Sequence, residues 1–484
     1  MEKQLVNYIM TLMIIATTFG QELDQTKLAN EYYLSKEYVK AAQIYKKLSK
    51  QKKNIQRIHT NYFDLMITSE KFDDAAKYIS HVVRVLPNQT RYRVDQIYMA
   101  GLLQNKSDNK RLNDDLFQDY KNNPIALKRI SEELSQRKLY REGLFFLSQA
   151  RTISNDPTIY ALDFAKIYKT IGNDDKMLGE YLKFAAQQPR HVPYIKSILQ
   201  ELLSEDKIKM ILEEQLITSA QRNPDELLYN DLLMWLYIQQ NDYYGAFVQA
   251  KAIDRSRNSL GKTVMQVAKV AHDNQAYSDA ISFYGYVVTK SDQRNIREKA
   301  QFLSLLSQEK DLTHEVPVDA EVADQLTDAY QWFYDHAAEK NTDRYTALKN
   351  KSGLLAYYLD QPDTALSILE DLVTLPGLRR TFIAQVKMDL GNVHLIVGNH
   401  WEASLLYSQV EKENAYAAIG YEAKLKNARL HYFMSNFDLA KAHLDILKRS
   451  TTKEIANDAL ELSLFIETNT LGDSNQLGLT DYAR

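Results

Sequence analysis

The stretch KLANEYYLSKEYVKAAQIYKKL, residues 27–48, places apolar side chains at helical spacing on both sides of a polar break. The apolar positions are Leu28, Ala29 and Tyr32, then Tyr38, Ala41, Tyr45 and Leu48. Steps of three and four residues are typical of an amphipathic helix. The polar segment at 35–37 predicts a short turn. We therefore expect a helix, a turn and a second helix, packed closely where the alanines leave room.

The same ladder returns further along the chain with a constant period. Ala41 and Ala75 occupy the same place in EYVKAAQIY and KFDDAAKYI, 34 residues apart, and Ala246 and Ala280 repeat that step. Prolines keep a similar spacing at positions 87, 124, 157, 189 and 224, where a second helix is expected to end. A fixed period of this length indicates an array of helix pairs.

This period and its residues resemble the tetratricopeptide repeat family, whose unit is a helix–turn–helix with small and aromatic residues at fixed places. The resemblance covers nearly all of the chain after residue 20, although the units at 91–124 and 192–224 are degenerate and the family's tryptophan is missing. It implies that the repeats pack through Ala29, Tyr32, Ala41, Tyr45, Ala75, Ala165, Tyr168, Ala246, Ala280, Tyr284, Ala365, Gly391, Ala403, Tyr407, Ala428 and Ala440.

The fold class implied is all-α: a right-handed α-solenoid of about 11–13 helix–turn–helix repeats. The period breaks once, between Ala280 and Ala365, so two sub-arrays are an open alternative to one. We expect an N-terminal array at 21–308, an irregular connection at 309–319 and a C-terminal array at 320–484. The closing LTDYAR resembles the start of another repeat helix, so either the natural chain continues or these residues form a frayed tail.

Residues 1–20 have the pattern of an export signal. Lys3 precedes an apolar run from Ile9 to Ala16, and Thr18-Phe19-Gly20 supplies the small residues that a signal peptidase recognises. The run is too short to span a bilayer, and a buried first helix is the alternative. Such an exported repeat protein most resembles envelope scaffolds of Gram-negative bacteria. We therefore expect the periplasm or the outer membrane, with no membrane span after signal cleavage.

The composition excludes several classes of function. The 484 residues carry a net charge of −3 without a long basic or acidic block, which gives no indication of nucleic-acid binding. The chain has no cysteine, so disulfides, thiolate metal sites and cysteine nucleophiles are excluded. The chain has only 15 glycines and 9 prolines, and these low counts argue against an all-β chain with many tight turns.

Few motifs indicate chemistry. NSLGKT, residues 258–263, contains the Gly-Lys-Thr of a phosphate-binding loop, but Ser256 stands where that loop needs glycine and no strand precedes it. His394 and His431 hold equivalent places in consecutive units, which are roughly 10 Å apart when helices pack. That is too far for one metal ion, so we expect packing roles. We expect no catalytic residue, no metal and no small-molecule cofactor.

In the family, the first helix of each pair lines the concave face that binds partners. The positions carried over by the resemblance are Asn30, Tyr33, Asp64, Lys166, Lys169, Trp235, Lys269, His272, Tyr357, Asn392, Arg429 and Tyr432. Tyr, Trp and Arg commonly anchor protein interfaces. We expect this row to bind an extended segment or a helix of another protein, although any one of these residues can equally be an ordinary exposed group.

Two functions remain open from the sequence. The first is a non-enzymatic scaffold that binds a protein or peptide. The alternative is a glycan-binding or cell-wall-associated helical-repeat protein, which would carry coplanar tyrosine or tryptophan rings spaced for sugar stacking. A continuous mixed groove on the first helices would favour the scaffold.

Overall fold

The computed structural model describes residues 25–314, 316–448, 453–470 and 477–483. These residues form twenty-six α-helices and one short 3-10 helix at Pro189–His191, and none of them lies in a β-strand. The all-α helix-pair architecture that the sequence predicts is confirmed. The expected export signal at 1–20 lies outside the described residues.

The helices of the first half are α1 (25–34), α2 (Tyr38–Leu48), α3 (Lys52–Thr68), α4 (Phe72–Val85), α5 (Thr90–Leu102), α6 (Lys106–Tyr120), α7 (Pro124–Gln136), α8 (Tyr140–Ser154), α9 (Ala161–Thr170), α10 (Asp174–Gln187), α11 (Val192–Leu202) and α12 (Asp206–Arg222). Those of the second half are α13 (Leu228–Gln239), α14 (Tyr243–Arg257), α15 (Lys262–Asp273), α16 (Tyr277–Lys290), α17 (Arg294–His314), α18 (Ala320–His336), α19 (Asp343–Tyr358), α20 (Pro362–Thr374), α21 (Arg380–Ile396), α22 (His400–Glu413), α23 (Ala418–Phe433), α24 (Phe437–Leu447), α25 (Lys453–Thr470) and α26 (Leu477–Ala483). Odd-numbered helices are the first helices of the pairs, and even-numbered helices are the second helices.

The chain forms two compact units, Met1–Gln215 and Leu216–Arg484, which divide within α12. Inside each unit, most consecutive helices pack on one another, and first helices of successive pairs also touch, as α5 touches α7 in the first unit and α19 touches α21 in the second. Each pair therefore contacts chiefly its neighbours, which is the packing of a repeat array.

The turn inside the helix pairs has one backbone form that recurs. In ten pairs, the second residue after the first helix has a left-handed φ: Lys36, Glu70, Gln104, Lys138, Gly172, Asn241, Gln275, Asp360, Gly398 and Ser435. At the first of these turns, the Lys36 N–H donates to the Tyr33 carbonyl (3.1 Å) and the Glu37 N–H to the Tyr32 carbonyl (2.8 Å). These are the two bonds of a Schellman motif, which satisfies carbonyls at a helix end.

The predicted packing residues lie in the core, as the alanine ladder requires. Tyr32 and Tyr168 are half-buried, and the other predicted packing residues are buried. Gly391 shows how close the helices come, because a Cβ there would lie 2.7 Å from Cε1 of Tyr407. The small residue of a first helix thus admits the aromatic ring of its second helix.

The segment expected to be irregular is shorter than the sequence indicates. Residues 309–314 belong to α17, which continues as a helix to His314, and only 316–319 of the described part are non-helical. Helix formers such as Gln308, Lys310 and Leu312 carry this helix past the expected boundary. The predicted sub-arrays at 21–308 and 320–484 stay a prediction.

Candidate binding surface

Two of the predicted partner-binding residues, Asn30 and Asn392, hydrogen-bond to a tyrosine on the second helix of their own pair. Asn30 and Asn392 each precede a buried tyrosine, Tyr45 or Tyr407, by 15 residues. The Tyr45 hydroxyl donates to Oδ1 of Asn30 (2.7 Å), and the Tyr407 hydroxyl donates to Oδ1 of Asn392 (2.8 Å). These two asparagines therefore satisfy a tyrosine hydroxyl inside the repeat, which reduces what they can offer a partner.

Lys166 holds the sequence position equivalent to these asparagines, but its side chain does not bond to the tyrosine of its pair. It precedes Tyr181 by 15 residues, and in the described part of the chain its ammonium group makes no hydrogen bond or ion pair. Lys169, one turn further along α9, is equally exposed and unpaired among the described residues. Of the predicted partner-binding residues, these two lysines keep their charge available at the surface of the first unit.

Three first helices of the first unit are joined by a buried ionic network that the sequence did not predict. Nε2 of His59 on α3 lies 2.7 Å from Oδ2 of Asp95 on α5. Arg137, the residue that follows α7, donates through Nε to the other oxygen of Asp95 (2.5 Å) and through Nη1 to Asp64 (2.7 Å). The Tyr78 hydroxyl lies 3.3 Å from Nδ1 of His59 and extends the network to α4.

Arg137 remains charged in this setting. Burial lowers the pKa of its guanidinium, but the carboxylates of Asp95 and Asp64 raise it, and the net direction is upward. Its guanidinium also lies over the rings of Phe63 and Tyr98, at 5.3 and 5.4 Å from their centroids. The predicted partner-binding residue Asp64 is thus held by Arg137, and the two together fix α3, α5 and α7 relative to one another.

A recess opens over this network. The α5 recess is a cavity of about 170 Å³ lined by Thr60, Asp64, Arg91, Val94, Asp95, Glu133, Gln136 and Arg137. Thr90 donates to Oε1 of Glu133 (3.0 Å), whereas Oε2 of Glu133 is buried without a hydrogen-bond partner among the described residues. Burial raises the pKa of Glu133, although Thr90 and Arg129 act in the opposite direction. One carboxylate oxygen beneath the recess is therefore left unsatisfied by the described residues.

A larger groove continues from the recess along the same face. The α7–α9 groove, a cavity of about 500 Å³, is lined by Ser131, Glu132, Ser135, Gln136, Tyr140, Leu147, Asp163, Lys166, Ile167 and Thr170. Gln136 lines both cavities, so they adjoin. Lys128 pairs with Glu132 and lies 3.3 Å from Asp163, which ties α7 to α9. The groove mixes apolar, hydroxyl, amide and charged groups.

Solved structures with helical repeats are similar to this chain. They include a kinesin light chain from Podosopora anserina with nearly identical TPR-like repeats, at 14% identity and a TM-score of 0.31 over 43% of this chain and 95% of that one. BtubC from P. vanneervenii has 11% identity and a TM-score of 0.35 over 49% and 92%. The APC/C hetero-tetramer Cut9–Hcn1 has 13% identity and a TM-score of 0.33 over 92% and 90%.

Neither a protein-family model nor a curated protein matches the sequence. The geometry of the chain itself shows helix pairs that recur along the sequence, are joined by short turns and, at Gly391, pack a small residue against an aromatic ring. The chain is built of helix-pair repeats. The first helices of these repeats carry the recess and the groove.

In the second unit, most of the predicted partner-binding residues have partners of their own. Lys269 pairs with Asp273 on its own helix, Nδ1 of His272 lies 2.9 Å from the Ser307 hydroxyl, and Arg429 donates to Asp458 (2.8 Å). Trp235 is half-buried and Tyr357 is 52% exposed; Tyr33, on α1 of the first unit, is also half-buried. A smaller cavity of about 230 Å³ includes Glu309, Lys349, Tyr357 and Asp389. The second unit also has recesses of about 620 Å³ between α17 and α18 and of about 830 Å³ between the start of α17 and residues 338–343, but neither is lined by a predicted partner-binding residue.

The prediction for Tyr432 is wrong. This side chain is buried, with 6% of its surface exposed, and its ring packs against Phe437 and Phe433 in the core of the last repeats. The neighbouring Phe433, not Tyr432, is exposed. The helix α23 keeps the expected register, since Ala428 and His431 are buried, but its core face extends to Tyr432, whose ring also packs against Phe465 of α25.

The NSLGKT segment leads into the N-terminus of α15, and a carboxylate of the chain itself is bound to that N-terminus. Both oxygens of the buried Asp254 accept from the first turn of α15: Oδ1 from the Thr263 N–H (2.9 Å) and Oδ2 from the Val264 N–H (3.0 Å). The Ser259 hydroxyl also donates to Asp254. A carboxylate of the chain thus occupies the place where a phosphate would bind at a helix N-terminus. This agrees with the sequence argument against nucleotide binding.

Among the residues that the structure describes, histidine and acidic side chains do not come together in groups of three or more that could hold a metal ion. Between residues 25 and 483, leaving aside the gaps given above, no helix has the length and apolarity needed to cross a bilayer. His431 is buried, in keeping with the expected packing role, and it stacks on His443.

The network His59–Asp95–Arg137 left a weak signal in the sequence. His59 stands on the apolar face of α3 with Ile55, Tyr62 and Phe63, and Asp95 lies between Val94 and Ile97 on α5. A histidine and an acid on the core faces of consecutive first helices indicate a buried pair, because burial of an isolated charge is costly. Arg137 gave no such signal, since it lies in a turn.

Proposed function

We propose that this protein is a non-enzymatic scaffold that binds an extended segment of another protein on the first helices of its first unit. The observation that carries the proposal is the adjoining pair of cavities, the α5 recess and the α7–α9 groove, along α3, α5, α7 and α9. A mixed polar and apolar groove of this kind suits a peptide, which needs hydrogen bonds for its backbone and apolar contacts for its side chains.

The ion pairs that hold the first helices beneath the α5 recess and the α7–α9 groove support the same proposal. Arg137 joins the end of α7 to α3 and α5, and Lys128 joins α7 to α9, so the groove is held in shape before a partner arrives. Preorganisation of one surface lowers the ordering cost of binding. An extended partner segment can then adapt its own conformation to a groove that changes little.

The glycan-binding alternative has less support. Coplanar exposed rings are its expected mark, and the half-buried pair Tyr33 and Tyr38 is tilted by 49° with centroids 6.0 Å apart. In the α7–α9 groove, the one aromatic side chain among the lining residues is Tyr140. A peptide fits this lining better than a sugar, whose faces stack on aromatic rings.

The location is proposed from the sequence. The export pattern at 1–20 favours the periplasm or the outer membrane of a Gram-negative bacterium, where the partner would be another envelope protein. N-terminal sequencing of the mature chain tests this directly, and a start far from Gln21 would contradict it.

Site-specific photocrosslinking tests the binding surface. A photoreactive amino acid is placed at Lys166 or Thr170 in the α7–α9 groove, and the matched control places it at the exposed Lys77 of the second helix α4. We expect a discrete protein adduct from the groove positions, at the same partner segment, and none from Lys77. Adducts of equal yield from all three positions would overturn the proposed surface, and glycan-bearing adducts would favour the alternative.

A further inference from the structure

Two histidines stack on each other at the junction of α23 and α24 in the second unit. The ring centroids of His431 and His443 are 5.7 Å apart, and their planes differ by 13°. His431 is buried, with 4% of its surface exposed, and the His443 side chain is 19% exposed. Two nearly parallel imidazoles this close together, one buried and one mostly buried, tolerate being neutral but resist being charged together.

The two rings have unequal surroundings. Nδ1 of His443 lies 3.8 Å from Oε2 of Glu411 on α22, and Glu411 also receives Lys424 of α23 at 2.9 Å. Nδ1 of His431 is buried without a hydrogen-bond partner among the described residues. Other charged groups of α24 pair elsewhere, Lys441 with Glu467 of α25 and Asp445 with Lys448. A proton on His443 thus meets one carboxylate that is already shared, and a proton on His431 meets none.

The surroundings of both histidines lower their pKa and favour the neutral rings. Burial lowers the pKa of His431, and His443 lowers it further. Burial also lowers the pKa of His443, where Glu411 opposes the shift and Lys424 adds to it. Because the folded pair binds protons less readily than an unfolded chain with histidines near about 6.5, its stabilising effect is complete above that pH and is lost as the pH falls below it.

We propose that the His431–His443 stack is a proton-sensitive latch that keeps α24 closed on α23 at neutral pH and releases it on acidification. Protonation of both rings forces the stack apart, and the unpaired charge on His431 drives its ring toward water. Helix pairs in a repeat array open locally, since each contacts chiefly its neighbours. Acid therefore opens the last repeats while the remaining repeats stay folded. This inference is independent of the binding function proposed above.

Hydrogen exchange of the full-length protein tests the latch. Protection factors, corrected for the intrinsic pH dependence of exchange, are measured at pH 7, 6 and 5 for peptides from α23 and α24 and for peptides from α13 and α14, which contain no histidine. We expect protection in α23 and α24 to fall with pH below about 6.5, by at most about tenfold per pH unit for each histidine that titrates. Protection in α13 and α14 should change much less.

Variants decide whether these two rings are responsible. His431→Phe keeps a ring in the stack but cannot take a proton, and His443→Gln removes the other titrating group. We expect the pH dependence to become shallower in each and to disappear in the double variant. His400→Gln, at an exposed position on α22, is the matched control and should behave as the parent chain.

Two outcomes would overturn the latch: a pH dependence that persists in the double variant, or none in the parent chain. If His431→Phe fails to fold, His443→Gln alone still tests the latch, because an unchanged pH dependence in that variant contradicts it.

Discussion

The junction of α3, α5 and α7 and the junction of α22, α23 and α24 bury polar side chains by different means. The first uses charges: His59, Asp95 and Arg137 satisfy one another across three helices. At the second, the most deeply buried polar contacts are neutral: the Ser404 hydroxyl donates to the buried Asn427 (2.8 Å), and the amide of Asn427 donates to the Ser408 hydroxyl (3.0 Å). The Lys424–Glu411 ion pair of that junction is partly exposed.

This difference sets what each junction loses when it is disturbed. A buried ion pair contributes little net stability while intact, yet removing one partner leaves an uncompensated charge in a dry environment. A neutral hydrogen bond involves less desolvation, so its loss costs less. The same repeat fold therefore contains one junction that is sensitive to the loss of a charge and one that is sensitive to shape and to protons.

The largest effect is expected at the charged junction. Asp95→Ala removes the carboxylate that joins His59 and Arg137, and we expect a loss of about 3–5 kcal/mol in the free energy of unfolding. Urea denaturation followed by circular dichroism measures it. The matched control is Asp119→Ala, whose carboxylate pairs with Arg93 but is 62% exposed, and which should cost less than about 1 kcal/mol. Equal costs at both positions would refute the ionic account.

Shape should dominate at the other end of the chain. Gly391→Ala adds a Cβ that would meet Tyr407 at 2.7 Å, so we expect destabilisation by about 1–3 kcal/mol from overpacking. Gly353→Ala is the matched control, because nothing lies within 4 Å of its added Cβ. It lies within α19 and should stabilise by about 1 kcal/mol through helix propensity. Thermal unfolding distinguishes the two, and a stabilising Gly391→Ala would count against close packing there.

A single neutral hydrogen bond should have a modest effect. Tyr407→Phe removes the hydroxyl that donates to Asn392, and we expect a cost of about 1 kcal/mol in the free energy of unfolding. Tyr181→Phe tests the equivalent position where the first helix carries Lys166 and no such bond is made among the described residues. Its cost should be close to zero. If the two substitutions cost the same in chemical denaturation, the hydroxyl bond contributes nothing specific.

The smallest effect should be the same in both regions. Lys138 and Ser435 each have a φ of 61° in the turn of a helix pair, a conformation that glycine adopts without strain. Lys138→Gly and Ser435→Gly should each raise the free energy of unfolding by up to about 1 kcal/mol. A gain at one turn and a loss at the other, seen in paired denaturation curves, would show that the turns are not equivalent.

The core of the repeats could be predicted from the sequence because it depends on spacing within one unit. Ala41 and Tyr45 lie one helical turn apart, and their burial follows from periodicity alone. The end of α17 could not be predicted in the same way, because the sequence around 309–314 is polar and indicates a loop as readily as a helix. Periodicity cannot distinguish a solvated helix from an irregular segment when apolar residues are few.

The binding surface was harder to predict because it depends on contacts between units. His59 and Asp95 are 36 residues apart and Asp95 and Arg137 are 42 apart, so only the stacking of three first helices brings them together. The hydrogen bond between Tyr45 and Asn30 could have been predicted from the spacing of 15 residues, which recurs between Asn392 and Tyr407. Resemblance to the repeat family places Lys166 on the surface of a first helix, where it lies, but it wrongly places Tyr432 on that surface, because the core extends to this side chain.

The left-handed residue in the helix-pair turns has an evolutionary consequence. Eight of the ten such positions carry a side chain other than glycine, among them Lys, Glu, Gln, Asn, Asp and Ser. The turn thus constrains the backbone while leaving the chemical identity of its tip nearly unrestricted. Selection can vary the charge at these tips, repeat by repeat, without altering how neighbouring repeats stack, and new partners can be acquired there at little cost to folding.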